Sequence, residues 1–431
     1  MTLAMPVRRP ASYYQRDWVL ACRDRQSFHS LPLAWELRGP LDVAALLSAV
    51  SGLVHRHDAL RTAFAPRGDD VDQLVWPMVD YDLSIVDGLD ESAVADRIVV
   101  EAERARLVDA APLWHGLLFR LGPQRHVLAL FVHHLIFDGW SHGVLHDELV
   151  RCYRGATNGH APRLPALNVQ AGDHADWERG RRDEAVEQWW RENLRDLPPL
   201  SALPRPGGRF ISAPLAEVSP ARVERLRALA AEHGAGLNTA LLATVLVARR
   251  ASTGDDAVIG ITRAGRDRPE LQRVVGPLLD HIPVRVRMAG ARSFGDILGR
   301  THRAHQEAVA RALPLGRIRQ VVPDDLTDRG GRLYDTRYNY LPNTATRRAV
   351  VSTSDGTALE LAPFAVDPLR LAPRHTEDHP EVLPLSFILR RNAGGDVGGE
   401  VCGHDGTHPP ASLAAIAHDV DAALAELTGP A

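Results

Sequence analysis

Residues 127–141 read Val127-Leu128-Ala129-Leu130-Phe131-Val132-His133-His134-Leu135-Ile136-Phe137-Asp138-Gly139-Trp140-Ser141. The first six are apolar and β-prone, and their number suits a buried strand. Asp138, Gly139 and Ser141 break the run, and Val144, Leu145, Leu149, Cys152 and Tyr153 then recur at helical spacing. Two histidines therefore stand where a strand ends, before a turn and a helix. Alternation along a strand sends His133 and His134 to opposite faces, so one can meet a cleft while the other is held in the fold. A neutral imidazole so placed is a general base near pH 7. Gly139 offers close backbone approach or a left-handed turn. The competing reading is a pair of histidines that only make structural hydrogen bonds.

The rest of the chain bounds what those histidines can serve. Its 431 residues have a hydrophobic fraction of 45% and a charged fraction of 24%, and the formal net charge is −4. That suits a soluble globular protein of two or three domains and argues against a nucleic-acid partner. There is no apolar run long enough to span a bilayer and no apolar core of a secretion signal near Met1, so a cytoplasmic protein without a membrane partner is expected. Cys22, Cys152 and Cys402 are far apart and read as reduced packing residues. Every basic residue counted is arginine. Without lysine, neither a Schiff base nor a P-loop lysine is available. No G-x-S-x-G elbow occurs, so a covalent serine intermediate is not indicated. His142 and His146 have the spacing of a helical zinc pair, but Gly143 stands where a metalloprotease needs glutamate. The pair reads as a solvated helix face, and no metal is expected.

Helices are predicted over Glu184–Leu194, Pro220–His233, Leu237–Arg250 and Ser412–Leu427. Strands are predicted over Asp256–Ile261, Ile282–Arg287, Thr336–Tyr340 and Leu385–Arg390. Helices and strands alternate in both halves, which indicates an α/β protein in two parts.

The pattern H-H-x-x-x-D-G between a strand and a helix resembles the signature of the acyltransferases that include the condensation domains of nonribosomal peptide synthetases. Chloramphenicol acetyltransferases, polyketide-associated acyltransferases and wax ester synthases share it. Further stretches resemble the condensation branch, in order along nearly the whole chain. Ser12-Tyr13-Tyr14-Gln15 is similar to its opening motif, with Asp17 where arginine is usual. Arg56-His57-Asp58-Ala59-Leu60-Arg61-Thr62-Ala63-Phe64 is similar to its second motif and reads as structural. Asp173-His174-Ala175-Asp176-Trp177 is similar to the fourth, and a helix with Trp189 and Trp190 follows. Gly260 to Arg266 resembles a G-x-P-x-A-G-R stretch, and Val275 to Arg285 the fifth motif, with Asp280 and His281 replacing Asn and Thr. Tyr338-Asn339-Tyr340 resembles an F-N-Y strand.

The resemblance implies two chloramphenicol-acetyltransferase-like subdomains, residues 1–180 and 181–431, in a V-shaped pseudo-dimer with a central tunnel. It implies a free-standing condensation enzyme for natural-product biosynthesis, joining an acyl or aminoacyl thioester to an amine or hydroxyl acceptor. The donor would ride on the phosphopantetheine arm of a separate carrier protein, the acceptor would be free or carrier-bound, and no cofactor would be held permanently. His134 and Gly139 take the catalytic positions. His133, Asp138 and Arg285 take structural ones, with Asp138 and Arg285 paired. Trp140, Ser141, Asp280, His281, Tyr338 and Asn339 are substrate-binding candidates, although Ser141 could equally cap the helix. A coenzyme-A-dependent acyltransferase of the same fold and a non-catalytic recruitment module remain the alternatives.

Overall fold

The computed structural model describes residues 5–22, 26–27, 30–200, 210–322, 326–342, 348–352, 356–364, 366, 385–392 and 394–428. It is a mixed α/β fold of two compact units, each built on its own six-stranded sheet. The first unit holds residues 1–181, 264–279 and 344–380; the second holds 182–263, 280–343 and 381–431. A division at residue 180/181 puts the segments 264–279 and 344–380 in the second half, whereas the structure packs 264–279 and the described residues of 344–380 into the first unit.

In the first unit the sheet runs from Ala349–Ser352 through Ala358–Pro363, Ser30–Arg38, Arg125–His133 and Trp114–Gly122 to Leu83–Asp87. The strand Arg125–His133 lies inside it, with His133 opposite Ser30 and Val132 opposite Trp114. Its unbroken apolar run has a direct cause. Leu128, Leu130 and Val132 face one core cluster while Val127, Ala129 and Phe131 face another, so both faces must be apolar. The helix Gly139–Thr157 follows the strand and packs against the helix Val43–Arg56.

The second unit's sheet runs Phe210–Val218, Val397–His404, Leu385–Arg391, Thr336–Leu341, Asp256–Arg263 and Asp280–Arg287. Its core lies between that sheet and the helices Leu237–Thr253, Phe294–Ala310 and Pro410–Thr428. The strands and helices expected here occur within a few residues of their sequence bounds. Cys152 and Cys402 are buried free thiols. Among the described residues no helix is long and apolar enough to cross a membrane.

Candidate active site

His133 ends its strand and is wholly buried, while His134 lies in the following turn and is half-buried. Nδ1 of His133 accepts the Leu135 amide at 3.0 Å, so the ring's proton sits on Nε2, which donates to Ser27 Oγ at 2.8 Å. The Trp18 indole donates to the same hydroxyl at 3.3 Å and packs edge-on against the His133 ring. The His134 ring lies 5.8 Å from Trp18 and 6.2 Å from Tyr14, centroid to centroid.

The turn is fastened from the N-terminal helix Tyr13–Ala21. Ser12 and Gln15 form a reciprocal capping box there, and Gln15 Nε2 donates to the Leu135 carbonyl at 2.9 Å. Gln15 thus holds the His134 turn as well as a helix end, a role the sequence alone did not assign.

Asp138 is the N-cap of Gly139–Thr157, accepting the Ser141 amide at 2.9 Å. Its carboxylate also accepts from Ser141 Oγ, the Leu278 amide and both terminal nitrogens of Arg266. The Asp138–Arg266 pair is almost completely buried, with side chains 2% and 1% exposed. The partner of Asp138 is thus Arg266 and not the expected Arg285. Every N–H of the Arg285 fork is spent inside the second unit, on Asp256 and on the carbonyls of Asn193, Arg195 and Asp196. Arg266 lies on the segment 264–279 that joins the first unit, and Gly265 turns there with φ +66° against the Leu278 carbonyl.

Several substrate-binding candidates take structural places. Ser141 is fully buried; its hydroxyl accepts from the Gly276 amide and Arg266 and lies within bonding distance of Asp138 and the Gly276 carbonyl. It does not cap the helix, because Asp138 is the cap. Tyr338 lies in the second core, its hydroxyl donating to the Asn238 carbonyl at 3.1 Å, and burial pushes its acidity well down. His281 is buried beside Thr262, and Asp280 accepts the amides of His281 and Leu315. Asn339 is half-buried on its strand. Trp140 is 42% exposed and donates to the Gln272 carbonyl. Gly139 is exposed, its φ is not in the left-handed region, and a Cβ there would meet nothing within 4 Å. The expected left-handed turn or tight backbone contact is absent, and what Gly139 leaves is open space beside the turn.

The second motif clamps the other end of this arrangement. His57 is wholly buried and bonds Glu148 on the helix Gly139–Thr157 at 2.8 Å, and Arg56 bonds the same carboxylate. Burial alone would raise the Glu148 carboxyl, but the His57 and Arg56 hydrogen bonds outweigh it and hold it below its usual range. His142 and His146 are not a solvated face; both rings pack on the buried Trp35, and burial followed by the nearby His146 lowers His142 to about 4.

A family model for the condensation domain matches residues 8–346. The chain belongs to the condensation domain family. It is 35% identical over 333 residues to phosphinothricin tripeptide synthetase PhsC of Streptomyces viridochromogenes, covering 72% of this chain and 30% of that one. This condensation domain spans under a third of the length of that relative and of the linear gramicidin and enniatin synthetases it also matches. The X-domain from teicoplanin biosynthesis has the same fold, with a TM-score of 0.79 at 24% identity, covering 99% of this chain and 96% of that one. The first condensation domain of the CDA synthetase has it too, with a TM-score of 0.73 at 20% identity over 98% and 96% of the two chains.

Proposed function

We propose that the domain catalyses condensation of a carrier-bound acyl or aminoacyl thioester with an amine or hydroxyl acceptor, giving an amide or an ester. The observation that carries this reading is the contrast between adjacent histidines. His133 spends both ring nitrogens on the fold and is fully buried, whereas His134 remains half-exposed on a turn fastened from Gln15 and Asp138. A base held by its neighbours rather than by its own burial keeps its geometry and still meets a substrate.

The chemistry follows from the positions. In this reading His134 receives the acceptor's proton at Nε2. As that proton leaves, the new bond to the carbonyl carbon forms, the carbon–sulfur bond breaks, and the proton passes to the departing thiolate. Negative charge on the carbonyl oxygen meets the start of the helix Gly139–Thr157. There the Asp138 cap takes the Ser141 amide and leaves those of Gly139 and Trp140 to donate. Arg266 offsets the Asp138 charge, so the carboxylate does not repel the oxyanion. The space that Gly139 leaves open admits the thioester, whose pantetheine arm the carrier supplies.

The test incubates the protein with an acyl-carrier thioester, an acyl-coenzyme A and a panel of amine and hydroxyl acceptors, with product read by mass spectrometry. Product from the carrier thioester is expected, with His134→Ala slower by roughly 10²–10⁴-fold at an unchanged melting temperature. Turnover of acyl-coenzyme A alone replaces the carrier reading with a soluble-thioester one. Binding of the carrier without turnover of either donor replaces catalysis with recruitment.

A further inference from the structure

A groove of about 510 Å³ opens in the second unit, between the helices Glu184–Asn193 and Phe294–Ala310 and the end of the strand Asp280–Arg287. Arg287, Arg300 and Arg303 line it together with the Trp189 indole, and Arg311 stacks over that indole at 5.0 Å. Glu307 is the acidic side chain among the described lining residues. Arg285 also reaches the groove, but Asp256 offsets its charge. Arg287, Arg300, Arg303 and Arg311 form no ion pair among the described residues. Arg300 is anchored through one nitrogen on the carbonyls of Arg287 and Ala289, which leaves the rest of its fork unspent. Asp296, one turn before Arg300, caps its own helix through the Ser293 and Arg292 amides.

Three guanidiniums without an ion pair line the groove beside the Glu307 carboxylate, a fourth stacks over its indole, and Asp296 acts on Arg300 from outside the lining; in a chain of formal net charge −4 this is a local excess of positive charge that costs self-repulsion. Guanidinium forks match phosphate oxygens in pairs. The groove's volume lies in the range of small-molecule sites, roughly 300–1,000 Å³. A single phosphodiester carries one charge and leaves most of this excess unmatched. A diphosphate or nucleotide matches the count, and the Trp189 indole in the lining gives a planar ring an aromatic neighbour. We propose that this groove binds a multiply charged phosphate ester of the diphosphate or nucleotide class, independently of the thioester chemistry of the first unit.

The test is calorimetric titration of the whole protein with pyrophosphate and with ADP at low salt. Arg303→Glu and Arg287→Glu serve as variants, because both side chains are exposed and neither supports the fold through an ion pair. Saturable binding of pyrophosphate is expected, with ADP competing for the same site. Each charge reversal should weaken binding by at least about tenfold, the scale of one charged hydrogen bond, with the melting temperature unchanged. Tighter binding of ADP than of pyrophosphate assigns the ring to Trp189; equal affinities assign the diphosphate alone. The absence of saturable binding, or affinities that survive both reversals, overturns the proposal.

Discussion

Asp138 concentrates more of the first unit's polar structure than any catalytic role requires. One carboxylate caps a helix, receives a buried arginine and holds the Leu278 amide. Removing one partner of a buried pair leaves the other charge uncompensated, at a cost of about 3–5 kcal/mol. Arg266→Ala is therefore expected to lower stability by that order in denaturant titration, and Asp138→Ala by at least as much because the cap is lost too. His134 takes part in neither the Asp138 cap nor the Asp138–Arg266 pair, so His134→Ala should leave the midpoint in place while activity falls. Gly139→Leu belongs with His134: its Cβ meets nothing and its backbone is unstrained, so the protein should fold normally and lose turnover. A Gly139→Leu protein that instead unfolds at lower denaturant would return this glycine to a structural role.

Two helices of the first unit each use one buried polar side chain to bond outside themselves, the first to the His134 turn and the second to the segment 264–279. From the Tyr13–Ala21 helix it is Gln15, bonded to Leu135; from Gly139–Thr157 it is Ser141, bonded to Gly276 and Arg266. Ser141→Ala leaves the buried Gly276 amide without its acceptor, which costs roughly 1–3 kcal/mol. Thermal unfolding of this variant should begin at lower temperature, with activity per folded molecule near normal. Gln15→Met keeps the volume but drops the bond to Leu135. It should reduce kcat more than KM, since the turn it slackens positions the base rather than a substrate-binding surface. Equal changes in both parameters would count against that positioning role.

At the scale of the molecule, the elements were legible and their exchange between units was not. Arg125–His133 could be read because a strand buried on both faces has a local signature, as could the helices of the second unit through their apolar period. Nothing local says that residues 264–279 leave the second unit to latch the first, or that Ala358–Pro363 pairs with Ser30–Arg38. Arg266 and Arg285 were therefore indistinguishable as partners for Asp138 until the topology was known. Exposure was equally hidden: Ser141 and Tyr338 look like site residues in sequence and lie in the interior. That interior also sets the response to pH. Burial, then the Arg106 charge, lowers His115 to about 4, and burial lowers His142 to about 4. Burial raises Glu178 to about 7. Between about pH 4.5 and 6.5 unfolding thus takes up protons at His115 and His142, with the burial-lowered His126, His305 and His408 adding to the uptake, and releases one from Glu178. The net uptake makes stability fall as pH falls, by roughly 1.4 kcal/mol per pH unit for each net proton taken up. Below that window the lowered carboxyls of Glu101 and Glu148 add to the loss. Denaturant midpoints taken from pH 7 to pH 4.5 should show this slope. His142→Phe, which keeps a ring on Trp35, should flatten it, and Glu178→Gln, which removes the opposing group, should steepen it. A slope unchanged in both variants would place the proton uptake elsewhere in the molecule.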